Sequence, residues 1–260
     1  MTLDINGKIA LVTGAAGGIG LAIAQALAAE GSHVILADID EEELDRAATL
    51  IPGAEKIVMD VANREHWKSA VERFRKVDIL INNAGIGPDG LMLADMDPNS
   101  FDRVVRINLT GVFNGVSAFA GVMRDRGSGH IVNTASMAGL TTSPRLGGYT
   151  AAKFGVVGMS EVLRAEMLPY GVDVSVLCPG YVLTRLAETT GKAGSPVPSA
   201  TISSTTAMPL DATIVGQMVV DAIRSRRPLI VTHGQYRGAV EKRLDAVLAA
   251  FDGVPASTDY

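Results

Sequence analysis

Ile9-Ala10-Leu11-Val12-Thr13-Gly14-Ala15-Ala16-Gly17-Gly18-Ile19-Gly20 is the stretch whose reading decides the fold. Ile9 to Val12 is short and continuously apolar, the pattern of a parallel strand buried on both faces. It runs straight into a glycine-rich turn and then into a helical pattern from Leu21 to Glu30. Glycines there permit a tight strand-to-helix turn and let the backbone approach a pyrophosphate, which the free N–H groups of a helix N-terminus can hold.

A second apolar run, Val34 to Ala37, ends in Asp38. An acidic side chain about 20 residues beyond such a turn can take both ribose hydroxyls of an adenosine, which points to NAD rather than NADP. The competing reading is a cap for the next helix, which Asp40 could supply instead. No Lys or Arg stands in the glycine turn or just after Asp38 to receive a 2′-phosphate.

Outward from this unit the alternation of strand and helix continues. Lys56 to Met59 reads as a third strand ending at Asp60-Val61, where an adenine would rest, although a helix cap serves Asp60 nearly as well. Asn63 to Lys76 reads as helix, and Asp78 to Ile81 as a strand leading into the turn Asn82-Asn83-Ala84-Gly85. One long helix is expected from Asp97 to Arg126, with Asn108 on an apolar stretch that requires a partner for its amide; a satisfied core Asn or a helix bend are the alternatives. Further strands are expected around Ile131-Val132, at Val172 to Leu177 and at Leu229 to Val231, with helices from Asp211 to Ser225 and from Tyr236 to Phe251. Glu188 to Thr206 is mostly Thr, Ser, Gly, Pro and Ala, and reads as a flap over the site.

The chemistry sits between Ser136 and Lys153. The apolar run at Ile131-Val132 has a polar exit, and Tyr149-x-x-x-Lys153 is followed by apolar residues at helical spacing. Tyr and Lys therefore share one helix face, one turn apart. A phenol used as acid or base near neutrality must fall from a pKa of about 10, and burial moves it the wrong way. A Lys charge about 5 Å away at an effective dielectric of about 20 is worth on the order of 3 kcal/mol, or about 2.4 pK units in the required direction.

The 260 residues, nearly half of them apolar, suit one α/β unit spanning 1–260, with the flap around 185–210. A net charge of -5 argues against nucleic acid as partner. Cys178 is the only cysteine, so no intrachain disulfide forms, and its place before Pro179-Gly180 suits a small core filler. The four His show no metal-ligand spacing, so no metal is expected. Without an apolar leader at Met1 to Lys8, or a run of about 20 apolar residues, the expectation is a cytoplasmic protein with no membrane contact.

Taken in order, Thr13-Gly14-x-x-x-Gly18-Ile19-Gly20, Asp38, Asp60, Asn82-Asn83-Ala84-Gly85, Asn108, Ser136, Tyr149-x-x-x-Lys153 and Pro179-Gly180 resemble the motif set of the short-chain dehydrogenases/reductases. The resemblance spans nearly the whole chain. It implies an α/β fold: a doubly wound, Rossmann-like sheet of about seven parallel strands in the order 3-2-1-4-5-6-7, with helices on both faces. It also implies roles. Tyr149 is the expected general acid/base, Lys153 lowers its pKa and holds the nicotinamide ribose, Ser136 binds the reacting oxygen, and Asn108 holds a water of the proton relay. The expected cofactor contacts are Gly14, Gly18, Ile19, Gly20, Asp38, Asp60, Val61, Asn83, Ala84, Gly85, Tyr149, Lys153, Pro179, Gly180, Val182 and Thr184, with Val182 and Thr184 at the carboxamide.

The activity so implied is NAD-dependent hydride transfer between a secondary alcohol and its ketone. A 3-oxoacyl thioester reductase shares the core motifs, and a non-catalytic nucleotide-sensing protein is the alternative from another class. Met137, Ala138, Leu140, Leu146, Tyr181, Leu183 and Met208 are expected around the reacting carbon, with only Arg145 and Arg185 bringing charge. Such a lining fits a small, neutral, hydrophobic alcohol or ketone. The family commonly pairs the helices that correspond here to Asp97–Arg126 and Tyr149–Pro169, which implies a homodimer or homotetramer.

Overall fold

The structure is a computed structural model that describes residues 3–184, 186–192, 194 and 208–254. Seven strands form one parallel sheet: β1 (Ile9–Thr13), β2 (His33–Asp38), β3 (Glu55–Val58), β4 (Ile79–Asn82), β5 (Gly129–Thr134), β6 (Val172–Cys178) and β7 (Leu229–Val231). Their order is 3-2-1-4-5-6-7, as expected, so the chain reverses direction across the sheet between β1 and β4. A crevice opens at the carboxyl ends of the strands at such a point.

Alternation along each strand divides the core into two layers, because successive side chains point to opposite faces. Ala10 and Val12 of β1, Val34 and Leu36 of β2, and Ile79 and Ile81 of β4 pack with Ile23 and Leu27 of α1 (Gly18–Ala29), Leu44 of α2 (Glu41–Thr49) and Val219 and Ile223 of the later helix Ala212–Ser225. Leu11, Ile35 and Leu80 take the other face, with Trp67 of α3 (Arg64–Arg73), Phe119 from Gly111–Arg126 and Leu163 from Gly147–Met167.

The helix expected from Asp97 to Arg126 is three segments. α4 (Pro98–Val105) gives way to a π turn over Arg106–Thr110 before α5 (Gly111–Arg126) resumes. The cause is Asn108, fully buried, whose side-chain amide is bonded to the backbone of Ile86. Asp97 caps α4 through the Asn99 N–H, and Gly127 in the left-handed conformation ends α5. Then come α6 (Gly147–Met167), α7 (Leu186–Lys192), α8 (Ala212–Ser225) and α9 (Arg237–Ala249). The first residues of the expected flap are thus helical; Arg185 and residues 195–206 lie outside the described residues.

Candidate active site

At the crevice, β1 and β4 are joined through Thr13. Its hydroxyl donates to the Ile81 carbonyl at 3.2 Å and accepts the N–H groups of Asn83 at 2.9 Å and Ala84 at 3.1 Å. The Asn83 amide in turn donates to the Thr13 carbonyl at 3.0 Å. The glycine turn and the Asn82-to-Gly85 turn thereby hold one another. Gly14 has φ +66, and a Cβ there would lie 2.9 Å from Ala84 Cα, so only glycine fits. Gly18, at φ +54, abuts Thr184, which brings the end of the 179–184 loop onto the start of α1. That helix begins at Gly17 without any side-chain cap, leaving its first N–H groups for an anion.

Asp40, not Asp38, caps α2, accepting the Glu43 N–H at 3.2 Å. Asp38 instead turns back to the glycine loop and accepts the Ala16 N–H at 3.0 Å, together with those of Ile39 and Asp40. Similarly Asn63 caps α3. Asp60 accepts the Ala62 N–H at 2.8 Å and lies 3.7 Å from Arg106. The Val61 carbonyl accepts both the Trp67 indole N–H at 2.8 Å and the Asn114 amide at 3.0 Å, which fixes this peptide at the rim.

Tyr149 and Lys153 share a face of α6, the ammonium 5.5 Å from the phenol ring centroid. Lys153 is buried and donates to the Thr134 carbonyl at the end of β5 at 2.9 Å. A Cβ at Gly85 would lie 2.9 Å from Asn108 Oδ1 and 3.8 Å from Lys153 Nζ, so Gly85 is where α6, the π turn and the β4 exit meet. Ser136 follows β5; it donates to the Pro179 carbonyl at 3.4 Å and lies close enough to the Tyr149 phenol to pull its pKa down. The four residues expected to carry the chemistry therefore converge.

Their electrostatics depart from expectation at one point. Burial raises the Tyr149 pKa above its ordinary value, although the neighbouring Ser136 pulls it down. The cation does not reverse that in this state. Lys153 is itself lowered to about 8, again by burial. Cys178, fully buried beside them, has its thiol pushed up to about 12 by desolvation and acts as core filler.

The pocket lining needs correction. Met137 and Ala138 are buried, Met137 in a cluster with Ala135, Val157 and Cys178, and the Met137 N–H is bonded to the Pro179 carbonyl at 2.8 Å. The Val182 side chain also faces the core. Leu140 and Leu146 are half-buried, whereas Tyr181, Leu183 and Met208 are exposed. Leu93, not singled out from the sequence, lies against Gly147, two residues before Tyr149. Arg145 holds a left-handed φ of 66 and donates to the Gly90 carbonyl at 3.3 Å. Thr13 and Thr134 were also missing from the expected site; their position at strand ends was the available signal.

The profile of the short chain dehydrogenase family matches residues 8–194. The chain is 36% identical over 194 residues to a 3-oxoacyl-[acyl-carrier-protein] reductase of Thermotoga maritima, covering 72% of this chain and 78% of that protein. It is 38% identical over 201 residues to levodione reductase of Leifsonia aquatica, covering 74% and 75%. Among solved structures, a short chain dehydrogenase/reductase from Burkholderia phymatum in complex with NAD superposes with a TM-score of 0.84 at 34% identity, over 95% of this chain and 96% of that one. Sheet order, glycine turn and sequence relatives agree: the chain belongs to the short-chain dehydrogenase family, whose members are oxidoreductases acting on CH–OH groups.

Proposed function

We propose that this protein is an NAD(H)-dependent enzyme that interconverts a neutral, hydrophobic secondary alcohol and its ketone within one catalytic unit. The observation that carries the reading is the placement of Tyr149 beside Lys153 on α6, with Ser136 next to the phenol and Asn108 meeting Lys153 at Gly85, beside a glycine turn in which a Cβ at position 14 would collide with Ala84. Gly14, Gly18, Ile19 and Gly20 would hold the pyrophosphate, Asp38 the adenosine ribose, Asp60 and Val61 the adenine, and Lys153 with the 179–184 loop the nicotinamide end. A bound nicotinamide supplies the hydride acceptor or donor.

Tyr149 gives its phenolic proton to the substrate oxygen in ketone reduction and takes it back in alcohol oxidation. Burial keeps that phenol protonated in the free enzyme, which favours reduction. On substrate binding Ser136 turns its single hydroxyl proton from the Pro179 carbonyl to the substrate oxygen and so places that oxygen beside the Tyr149 phenol. Lys153 brings positive charge beside the ring and so favours the phenolate that oxidation requires.

Asp38 supports NAD over NADP, since it would oppose a 2′-phosphate and no basic residue occupies the glycine turn. The apolar Leu93, Leu146, Tyr181 and Leu183 support a hydrophobic substrate, because an anionic or polyol ligand would lose hydration without partners to replace it. The proposed oligomer uses the outer faces of α5 and α6, where Phe113 and Val162 are exposed and a Cβ at Gly121 or Gly158 meets nothing within 4 Å. No helix among the described residues is long and apolar enough to cross a membrane, and a cytoplasmic location belongs to the same proposal.

The second reading, a 3-oxoacyl thioester reductase, is favoured by the Thermotoga relative. One experiment separates the two: kcat/KM with each cofactor for an aryl or alicyclic secondary alcohol, a 3-oxoacyl thioester and a small polyol. Preference for NAD with the bulky apolar alcohol is expected. A thioester preference with NADP selects the second reading, and a polyol preference overturns the hydrophobic pocket.

A further inference from the structure

Two loops flank the Ser136–Tyr149–Lys153 cluster, and each is gripped by one side chain that takes both an N–H and a C=O of the loop backbone. Asn108 does this at Ile86, accepting its N–H and donating to its carbonyl, both at 2.8 Å. On the other side of the cluster the 179–184 loop is gripped by His233, which follows β7 and is 2% exposed. Its Nδ1 accepts the Gly180 N–H at 3.2 Å, and its Nε2 lies 2.9 Å from the Tyr181 carbonyl.

The tautomer follows from the partners. A backbone N–H only donates and a carbonyl only accepts, so Nδ1 carries the lone pair and Nε2 the proton. The Thr232 hydroxyl completes the arrangement, accepting from Gly180 N–H at 3.1 Å and donating to Nδ1 at 2.6 Å. There is no slack between loop and ring. A Cβ at Gly180 would lie 2.7 Å from His233 Cγ and 3.0 Å from Tyr236 Cε2, and the Tyr236 ring meets His233 edge-on with centroids 6.2 Å apart.

The other side of the same loop faces the chemistry. The Pro179 carbonyl accepts the Met137 N–H and the Ser136 hydroxyl, while the Tyr181 carbonyl also accepts the Leu210 N–H at 3.0 Å. We propose that His233 is a positioning residue for the reaction: by clamping the Gly180 N–H and the Tyr181 carbonyl it sets the Pro179 carbonyl that orients Ser136, and the 179–184 segment at the nicotinamide end. This rests on the site proposed above. His233 touches neither substrate nor cofactor in this scheme and acts only through the loop.

His233→Phe keeps a ring in the cavity and removes both bonds. In folded enzyme, kcat is expected to fall about tenfold to hundredfold, since displacement of a reacting group by about 1 Å costs on that order. The NADH dissociation constant, read by fluorescence titration, should change by less than about threefold because the adenosine half is untouched. His233→Gln, whose amide N–H can reach the Tyr181 carbonyl, should recover much of the lost kcat. Full kcat in His233→Phe, or a loss that His233→Gln leaves unchanged, overturns the proposal. Should His233→Phe not fold, His233→Leu carries the test: it also removes both bonds, and a kcat at least about tenfold lower at unchanged NADH affinity is expected, whereas unaltered kcat overturns the proposal. Tyr149→Phe measured alongside separates the failures. If that variant is active, the site itself is misread and both proposals fall; if it is inactive while His233→Phe runs at full rate, only the role of His233 falls.

Discussion

Lys153 Nζ donates to the Thr134 carbonyl at 2.9 Å, which ties a buried ammonium on α6 to the end of β5. Burial lowers this Lys from 10.5 to about 8, so the folded state binds its proton less tightly than the unfolded chain does. The resulting destabilisation is fully present below pH 8 and is relieved as pH rises from about 8 toward 10.5. Lys153→Met should therefore abolish turnover while raising the melting temperature at pH 7 by several degrees, since about 3 kcal/mol of charge burial is removed. Differential scanning calorimetry of both proteins checks this, and a lower Tm in the variant contradicts it.

For Tyr149→Phe, loss of the phenolic proton should reduce kcat by about 10²–10⁴-fold while NADH affinity stays nearly intact. In the unmutated enzyme, the raised Tyr149 pKa predicts that alcohol oxidation accelerates as pH rises above neutrality, whereas ketone reduction does not gain. Initial rates in both directions between pH 6 and 10 test the assignment.

Asp38→Ala removes the carboxylate held by the Ala16 N–H. The unmutated enzyme should prefer NAD by more than about tenfold, because each charge-assisted hydrogen bond to a ribose hydroxyl contributes about 1.5–3 kcal/mol. The variant should narrow that ratio mainly by losing NAD affinity. Equal kcat/KM for NAD and NADP before mutation refutes the role of Asp38.

Asn108→Ala leaves the N–H and carbonyl of Ile86 without their partner in a fully buried position. About 1–3 kcal/mol for each unsatisfied group is the expected cost. Chemical denaturation should show that loss, and a stability change within about 0.5 kcal/mol would mean that water or relaxation replaces the amide.

His130 stands in β5, buried, its Nε2 2.8 Å from Ser175 Oγ of β6 and its Nδ1 without a partner among the described residues. Burial, reinforced by the nearby Arg226 charge, lowers its pKa from 6.5 to about 4. The unfolded chain thus takes up a proton that the fold refuses, so this group's contribution is intact above pH 6.5 and is lost on descent toward pH 4. The loss approaches ~3 kcal/mol. His130→Gln should flatten the Tm profile between those pH values; an unchanged profile assigns the acid sensitivity to other groups.

Sequence alone determined the frame. The apolar runs, the glycine turn and the ordered motifs specify a parallel doubly wound sheet, because burial on both strand faces and left-handed glycines are local properties written in residue type and spacing. Tyr149 and Lys153 were legible as a pair for the same reason: four residues along a helix is one turn. What required the tertiary structure was every choice made by a distant partner. The π turn exists because Asn108 finds Ile86, 22 positions away. Met137 is buried because folding packs it against Val157 and Cys178 of other segments, and Asp38 stays free of capping because Asp40 takes that task. Even the direction of the Tyr149 pKa shift depends on how deeply folding buries the ring relative to the neighbouring ammonium, a balance of desolvation against charge that no linear spacing encodes.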